Sequence, residues 1–237
     1  MGARAQAILP LALVVGVLSF LWTEFSLNFT FHWYTVTDNV FGAGSVGLPH
    51  PFHLILPTAF ISWGLFFCAG GDNAAFGKIV IASVFGTIAA LITMYLAFKT
   101  ADMPHFWGIA LWVGIFAFIL VAILIAGDWY YVAGTFPAFA SVFLWWIATG
   151  LDGWSTKGSS GGWTHSANAV VATATGQTTG GAAPATAGGG AFWGLISTTF
   201  SWVWFDTLVT LLCGCVLGIV SAKVAALITP KPKGAEA

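Results

Sequence analysis

The chain has 237 residues, of which 58% are apolar and only 6% charged, with a formal net charge of −1 and a mean hydropathy of +0.90. A soluble domain of this size carries about a quarter charged residues to solvate its surface, so the composition reads as an integral membrane protein. The near-neutral balance leaves no basic stripe to track phosphates, which excludes nucleic acid as a partner and makes the lipid bilayer the first one.

Six apolar runs approach the ~20 residues needed to cross a bilayer: Ile8–Leu27, Phe52–Gly70, Ile79–Phe98, Phe106–Ala126, Tyr131–Gly150 and Phe205–Ile228. The first is longer than a signal-peptide core and lacks a small-residue cleavage site, so it is expected to stay as a span. Gly70-Gly71-Asp72-Asn73 and Ala126-Gly127-Asp128-Trp129 carry turn chemistry, which makes the helices they join antiparallel neighbours. The expected fold is therefore all-α, with six transmembrane helices.

Arg4, Lys78, Lys223, Lys231 and Lys233 fall on one face of this topology and Lys99 and Lys157 on the other. The positive-inside rule then puts both termini in the cytoplasm. Residues 1–150 hold the first five spans, 151–191 a flexible external loop, 192–228 an interfacial segment and the sixth span, and 229–237 a cytoplasmic tail. The external loop is rich in Gly, Thr and Ala and has little apolar surface to offset the entropy of ordering it.

Ala59-Phe60-Ile61-Ser62 with Leu65, Ala69 and Gly71 is echoed at one constant offset by Ala138-Phe139-Ala140-Ser141 with Leu144, Ala148 and Gly150, and Pro57 and Pro137 precede the two motifs. The echo joins span two, running inward, to span five, running outward. It fits two inverted three-helix halves as well as chance recurrence of common apolar residues.

Leu13-Val14-Val15-Gly16-Val17-Leu18-Ser19-Phe20-Leu21-Trp22, Ile61-Ser62-Trp63-Gly64-Leu65-Phe66-Phe67-Cys68-Ala69-Gly70-Gly71, Val132-Ala133-Gly134-Thr135-Phe136-Pro137-Ala138-Phe139 and Leu217-Gly218 together resemble the YcdZ-like family. Its members are small bacterial inner-membrane proteins known mainly as a domain of unknown function. The resemblance implies the order of spans and a bacterial inner membrane. It transfers no catalytic or binding residue, and the family lacks both the Gly/Thr/Ala-rich loop and the aromatic segment after span one.

Glu24 and Asp206 are the acidic residues nearest to span interiors, where a carboxylate costs at least ~2.5 kcal/mol. They are candidates to line a pathway for a small solute or proton; the alternative is that both mark span ends at the outer headgroup layer. All five histidines fall on the predicted outer face, and His50, His53, Asp102 and His105 are candidate metal ligands, although Pro49 and Pro51 can hold the His50–His53 pair in extended chain. Cys68, Cys213 and Cys215 lie in apolar runs and read as small core residues. Gly214 and Gly218 have the small-xxx-small spacing of a close helix contact.

No nucleophile–base pair and no cofactor fingerprint is visible, so an enzyme is the least expected class and no cofactor is expected. Two readings remain: a small-solute channel or transporter-like protein, and a non-catalytic accessory subunit of a larger membrane complex, with a metal site at the outer histidines as a variant. Phe29, Phe31, Trp33 and Tyr34 are the candidate contacts for a partner, either a second copy or another membrane subunit.

Overall fold

The computed structural model describes residues 3–31, 52–100, 103, 107–127, 130–148 and 200–229. Among them the chain is all helix, with six α-helices: α1 (Ala3–Phe31), α2 (Leu56–Cys68), α3 (Asn73–Lys99), α4 (Trp107–Ala122, continued by a 310 turn over Ile123–Ala126), α5 (Val132–Ala148) and α6 (Phe200–Ile228). Four stretches, Ile8–Phe29, Asn73–Lys99, Trp107–Ile125 and Trp202–Ile228, are long and apolar enough to cross a membrane. The other two helices are shorter, α2 with 13 residues and α5 with 17.

The shortness of α2 has a local cause. Pro57 lacks an N–H, and its ring would collide with the carbonyl four residues back, at His53, if the helix reached that far. The helix accordingly starts at Leu56 with the proline in its first turn, and Ile55 before it is extended (φ −98°, ψ 93°). Residues 52–55 are a non-helical lead-in where an unbroken helix from Phe52 is expected from the hydropathy alone. In α5, Pro137 is accommodated inside the helix, and Ser141 donates to its carbonyl at 2.8 Å.

The turn after α2 is as the sequence predicts, while Asp128 and Trp129 of the second turn lie outside the described residues. Gly70 (φ 123°) and Gly71 (φ 70°) supply the left-handed backbone that ends α2. Asp72 then caps α3, accepting from the Ala75 N–H at 2.7 Å. Thus α2, α3 and the paired α4 and α5 alternate in direction. The end of α1, the lead-in to α2, the end of α5 and the start of α6 meet at one end of the bundle, and the short Gly70–Asp72 turn lies at the other.

The interior mixes apolar and small polar side chains, and the outside is apolar. Phe20, Ile81, Phe118, Ile125 and Leu227 are exposed, while Thr58, Ser62, Thr87, Thr93, Thr207 and Thr210 are completely buried. Small polar side chains thus share the interior with large apolar ones such as Phe66, Ile79 and Trp146, and the apolar exterior is compatible with a membrane protein. The long helices α3 and α6 meet at the centre; α2 lies against α6, α5 against α3, α1 leans on α6 and α4 on α3. Two glycines set the closest approaches. A Cβ at Gly214 would collide with the Ala59 carbonyl and the Ser62 hydroxyl, and one at Gly86 with the Thr135 carbonyl and Ala138.

Candidate functional site

The lead-in to α2 brings main-chain donors into the interior, and they must be satisfied there. Helix α6 provides for this through Asp206 and Thr210, which are one turn apart and so share a face. The Ile55 N–H donates to Thr210 Oγ1 at 3.2 Å, and the main-chain N–H of His53 faces the Asp206 carboxylate. One turn further along, Ser62 donates to the Leu211 carbonyl at 2.7 Å, binding the start of α2 to α6 a third time.

Around these contacts the packing is mixed, aromatic and polar. Asp206 and Thr58 are wholly buried and His53 is 2% exposed. The His53 ring meets Trp145 of α5 edge-on, with centroids 6.4 Å apart. Neither carboxylate oxygen of Asp206, nor Thr58 Oγ1, has a side-chain hydrogen-bond partner among the described residues. Phe52 closes the top, against Phe29 of α1 at 5.5 Å and Phe205 of α6 at 5.8 Å.

Asp206 therefore sits well inside α6, because that helix starts at Phe200 rather than at Phe205. Glu24 is in different surroundings. It is exposed on α1 and accepts from Asn28 Nδ2 at 2.9 Å, so the two acidic candidates do not come together as one buried pair. Of the four candidate metal ligands, His53 alone is described; His50, Asp102 and His105 lie outside the described residues. Among the described residues no three His, Cys, Asp or Glu side chains converge.

Of the partner-contact candidates, Phe29 is turned inward, 5% exposed and packed with Trp22, Leu54 and Ala59. Phe31 ends α1, and Trp33 and Tyr34 lie outside the described residues. The cysteines divide: Cys215 is buried beside Phe66 and Ile79 as a core residue, whereas Cys68, expected in the core, is exposed at the end of α2. Its position on the last turn, next to the Gly70-Gly71 reversal, carries it off the packed face.

A second feature is a lateral groove of about 550 Å³ between α2, α4 and α5, lined by Ile61, Val113, Phe136, Phe143 and Ile147 among others. Its lining is apolar, and the Ser141 hydroxyl within it is turned back to its own helix. The pairing of Asp206 and Thr210 with the lead-in is absent from the sequence reading. Its signal is there, however, in an acidic residue and a threonine at i, i+4 opposite a proline that breaks the facing span.

The chain matches no family model, no curated protein and no solved structure.

Proposed function

We propose that this chain is a six-span membrane protein of transporter or channel type, built as two inverted three-helix halves, α1–α3 and α4–α6, that passes a small solute through the interface between them. The observation that carries the reading is the register of the two inner contacts. One offset carries α2 onto α5 and another carries α6 onto α3, and under those two offsets the contacts coincide. Ala59 at Gly214 corresponds to Ala138 at Gly86, and Ile55 at Thr210 corresponds to Gly134 at Ala82. The same offsets match Phe66 at Gly218 with Trp145 and Ala90, which share one core cluster. The outer helices follow suit, α1 lying on α6 as α4 lies on α3.

Inverted halves with a broken helix between them are the plan of many secondary transporters, in which non-helical backbone is tolerated at membrane depth because it lines the site. The lead-in over residues 52–55, with Asp206 against it, supports the same plan. Two bridging turns with Lys78 and Lys223 exposed at the short-turn end support cytoplasmic termini. The resemblance to the YcdZ-like family supports a bacterial inner membrane.

The groove between α2, α4 and α5 favours a competing reading, an accessory subunit whose partner seats an apolar helix there. Reconstitution separates the two. Purified protein in lipid vesicles is expected to pass at least one small tracer solute faster than empty vesicles under an imposed pH gradient, and Asp206→Asn to abolish that flux with the folded yield unchanged. Flux equal to that of empty vesicles across a panel of small polar and ionic solutes overturns the transport reading.

A further inference from the structure

We propose that the Asp206 carboxyl is a buried proton-binding site, occupied while the lead-in over residues 52–55 lies against α6 as it does here and emptied only when that lead-in moves away. The inference rests on the transport reading for its purpose but not for its chemistry.

A carboxylate with no exposed surface is strongly disfavoured in its ionised form unless a cation or several donors compensate it. Here the compensation is slight. The described lysines, Lys78, Lys99 and Lys223, are all exposed, and Lys99 rests on the Tyr95 ring, 5.2 Å from its centroid. The groups packed around α6 can be taken in turn. The α2 lead-in contributes one titratable side chain, His53; α5 has none; the acid on α1 is Glu24, exposed; the ionisable groups of α3 are Lys78, Tyr95 and Lys99, also exposed. On α6 itself Cys213, Cys215 and Lys223 lie further toward the other end. Among the described residues, the donor that faces the carboxylate is the His53 main-chain N–H. Taking up a proton on one Oδ neutralises the charge and turns that oxygen into a donor, and Thr58 Oγ1, equally buried and unpartnered by any side chain, lies on the same stripe of α2 as Ile55 and Ser62, both bonded to α6.

A sodium ion at a broken helix is held by main-chain carbonyls together with side-chain oxygens, and here the Ile55 carbonyl is taken by the Thr58 N–H, the Leu56 carbonyl by Trp22 Nε1 and Thr210 Oγ1 by the Ile55 N–H. The observations favour the proton. Release then demands that water or a solute reach the carboxylate, which requires that residues 52–55 lift off α6. That couples the proton to the opening of this end.

Infrared difference spectroscopy of the full chain in lipid vesicles, with aspartate carbon-13 labelled, reads the site directly. At neutral pH the wild-type protein is expected to show a protonated-carboxyl band that shifts with the aspartate label and disappears in Asp206→Asn. Thr58→Val is expected to keep the band but move its frequency, which serves if the asparagine variant does not fold. A wild-type spectrum without a labelled carboxyl band at neutral pH overturns the proposal, as does a band that survives in folded Asp206→Asn or one that answers to sodium concentration at fixed pH. Because the band is read without any flux, a band with no transport sinks only the functional reading, and transport with no band sinks only the proton site.

Discussion

The contact of α2 with α6 and the contact of α5 with α3 are built alike and equipped differently. Each turns on a glycine of the long helix, Gly214 or Gly86, that lets the main chain of the short helix come down onto it. Yet where α6 presents Asp206 and Thr210, the matching positions of α3 are Lys78, exposed, and Ala82, buried against Gly134; where the α2 lead-in carries His53, α5 begins with Val132. Both contacts turn on a glycine, and the buried ionisable side chains, Asp206 and His53, belong to one of them. The difference follows from the two prolines. Pro57 breaks its span and frees main-chain donors that need Asp206 and Thr210, whereas Pro137 sits inside a continuous helix and frees none at its start.

The likeness is broken most severely at the glycines. Gly214→Ala and Gly86→Ala each place a Cβ into facing main chain, and each is expected to cost about 2–3 kcal/mol, at the upper end of overpacking penalties. Gly16→Ala, where a Cβ meets nothing within 4 Å, should leave stability in place or raise it slightly. Thermal unfolding in mild detergent ranks the three. A silent Gly86→Ala beside a damaging Gly214→Ala would mean that the two contacts are not equivalent.

The unlikeness is sharpened at Thr210. Thr210→Val keeps the shape but leaves the buried Ile55 N–H without its acceptor, at an expected cost of about 1–3 kcal/mol. Hydrogen exchange at Ile55 should quicken by more than at Thr58, whose N–H is held by the Ile55 carbonyl at 3.0 Å. Equal protection of Ile55 in the variant and the wild type would show that the lead-in is held by something other than α6.

Much of this frame is legible in the chain, because long apolar runs and Gly-Asp turns act locally. The helices from Asn73 and Trp107 lie within a few residues of their expected spans, and the capping by Asp72 is written in its neighbours. What hydropathy misses is the break before Pro57, since Phe52, Leu54 and Ile55 are apolar whether helical or not. The burial of Asp206 is hidden for a related reason. A carboxylate near a span end can be solvated or enclosed, and only the packing of the α2 lead-in against α6 decides. Cys68 fails in the opposite direction: an apolar run does not say which of its faces is packed.

The smallest difference between the two contacts lies in the serines of the repeated Ala-Phe-x-Ser motif. Ser62 and Ser141 occupy the same place in it and both are buried. Ser62 donates to the Leu211 carbonyl of α6 at 2.7 Å as well as to Ala59 of its own helix at 3.1 Å, while Ser141 bonds only to the Pro137 carbonyl of α5 among the described residues. Removing the hydroxyl therefore cuts an interhelical bond in one half and an intrahelical one in the other. Hydrogen bonds between helices contribute about 0.6–1.7 kcal/mol in a membrane setting, so Ser62→Ala is expected to cost about that much. Ser141→Ala should stay within about 0.5 kcal/mol of wild type, since α5 regains in helix propensity what it loses in side-chain bonding. The pair is best measured in one unfolding series with the double variant, where additive effects are expected because the two serines bond to different helices. Equal losses at the two serines would imply that Ser141 also reaches across to a neighbouring helix, and with that the two contacts would be alike in their polar groups as well as in their glycines.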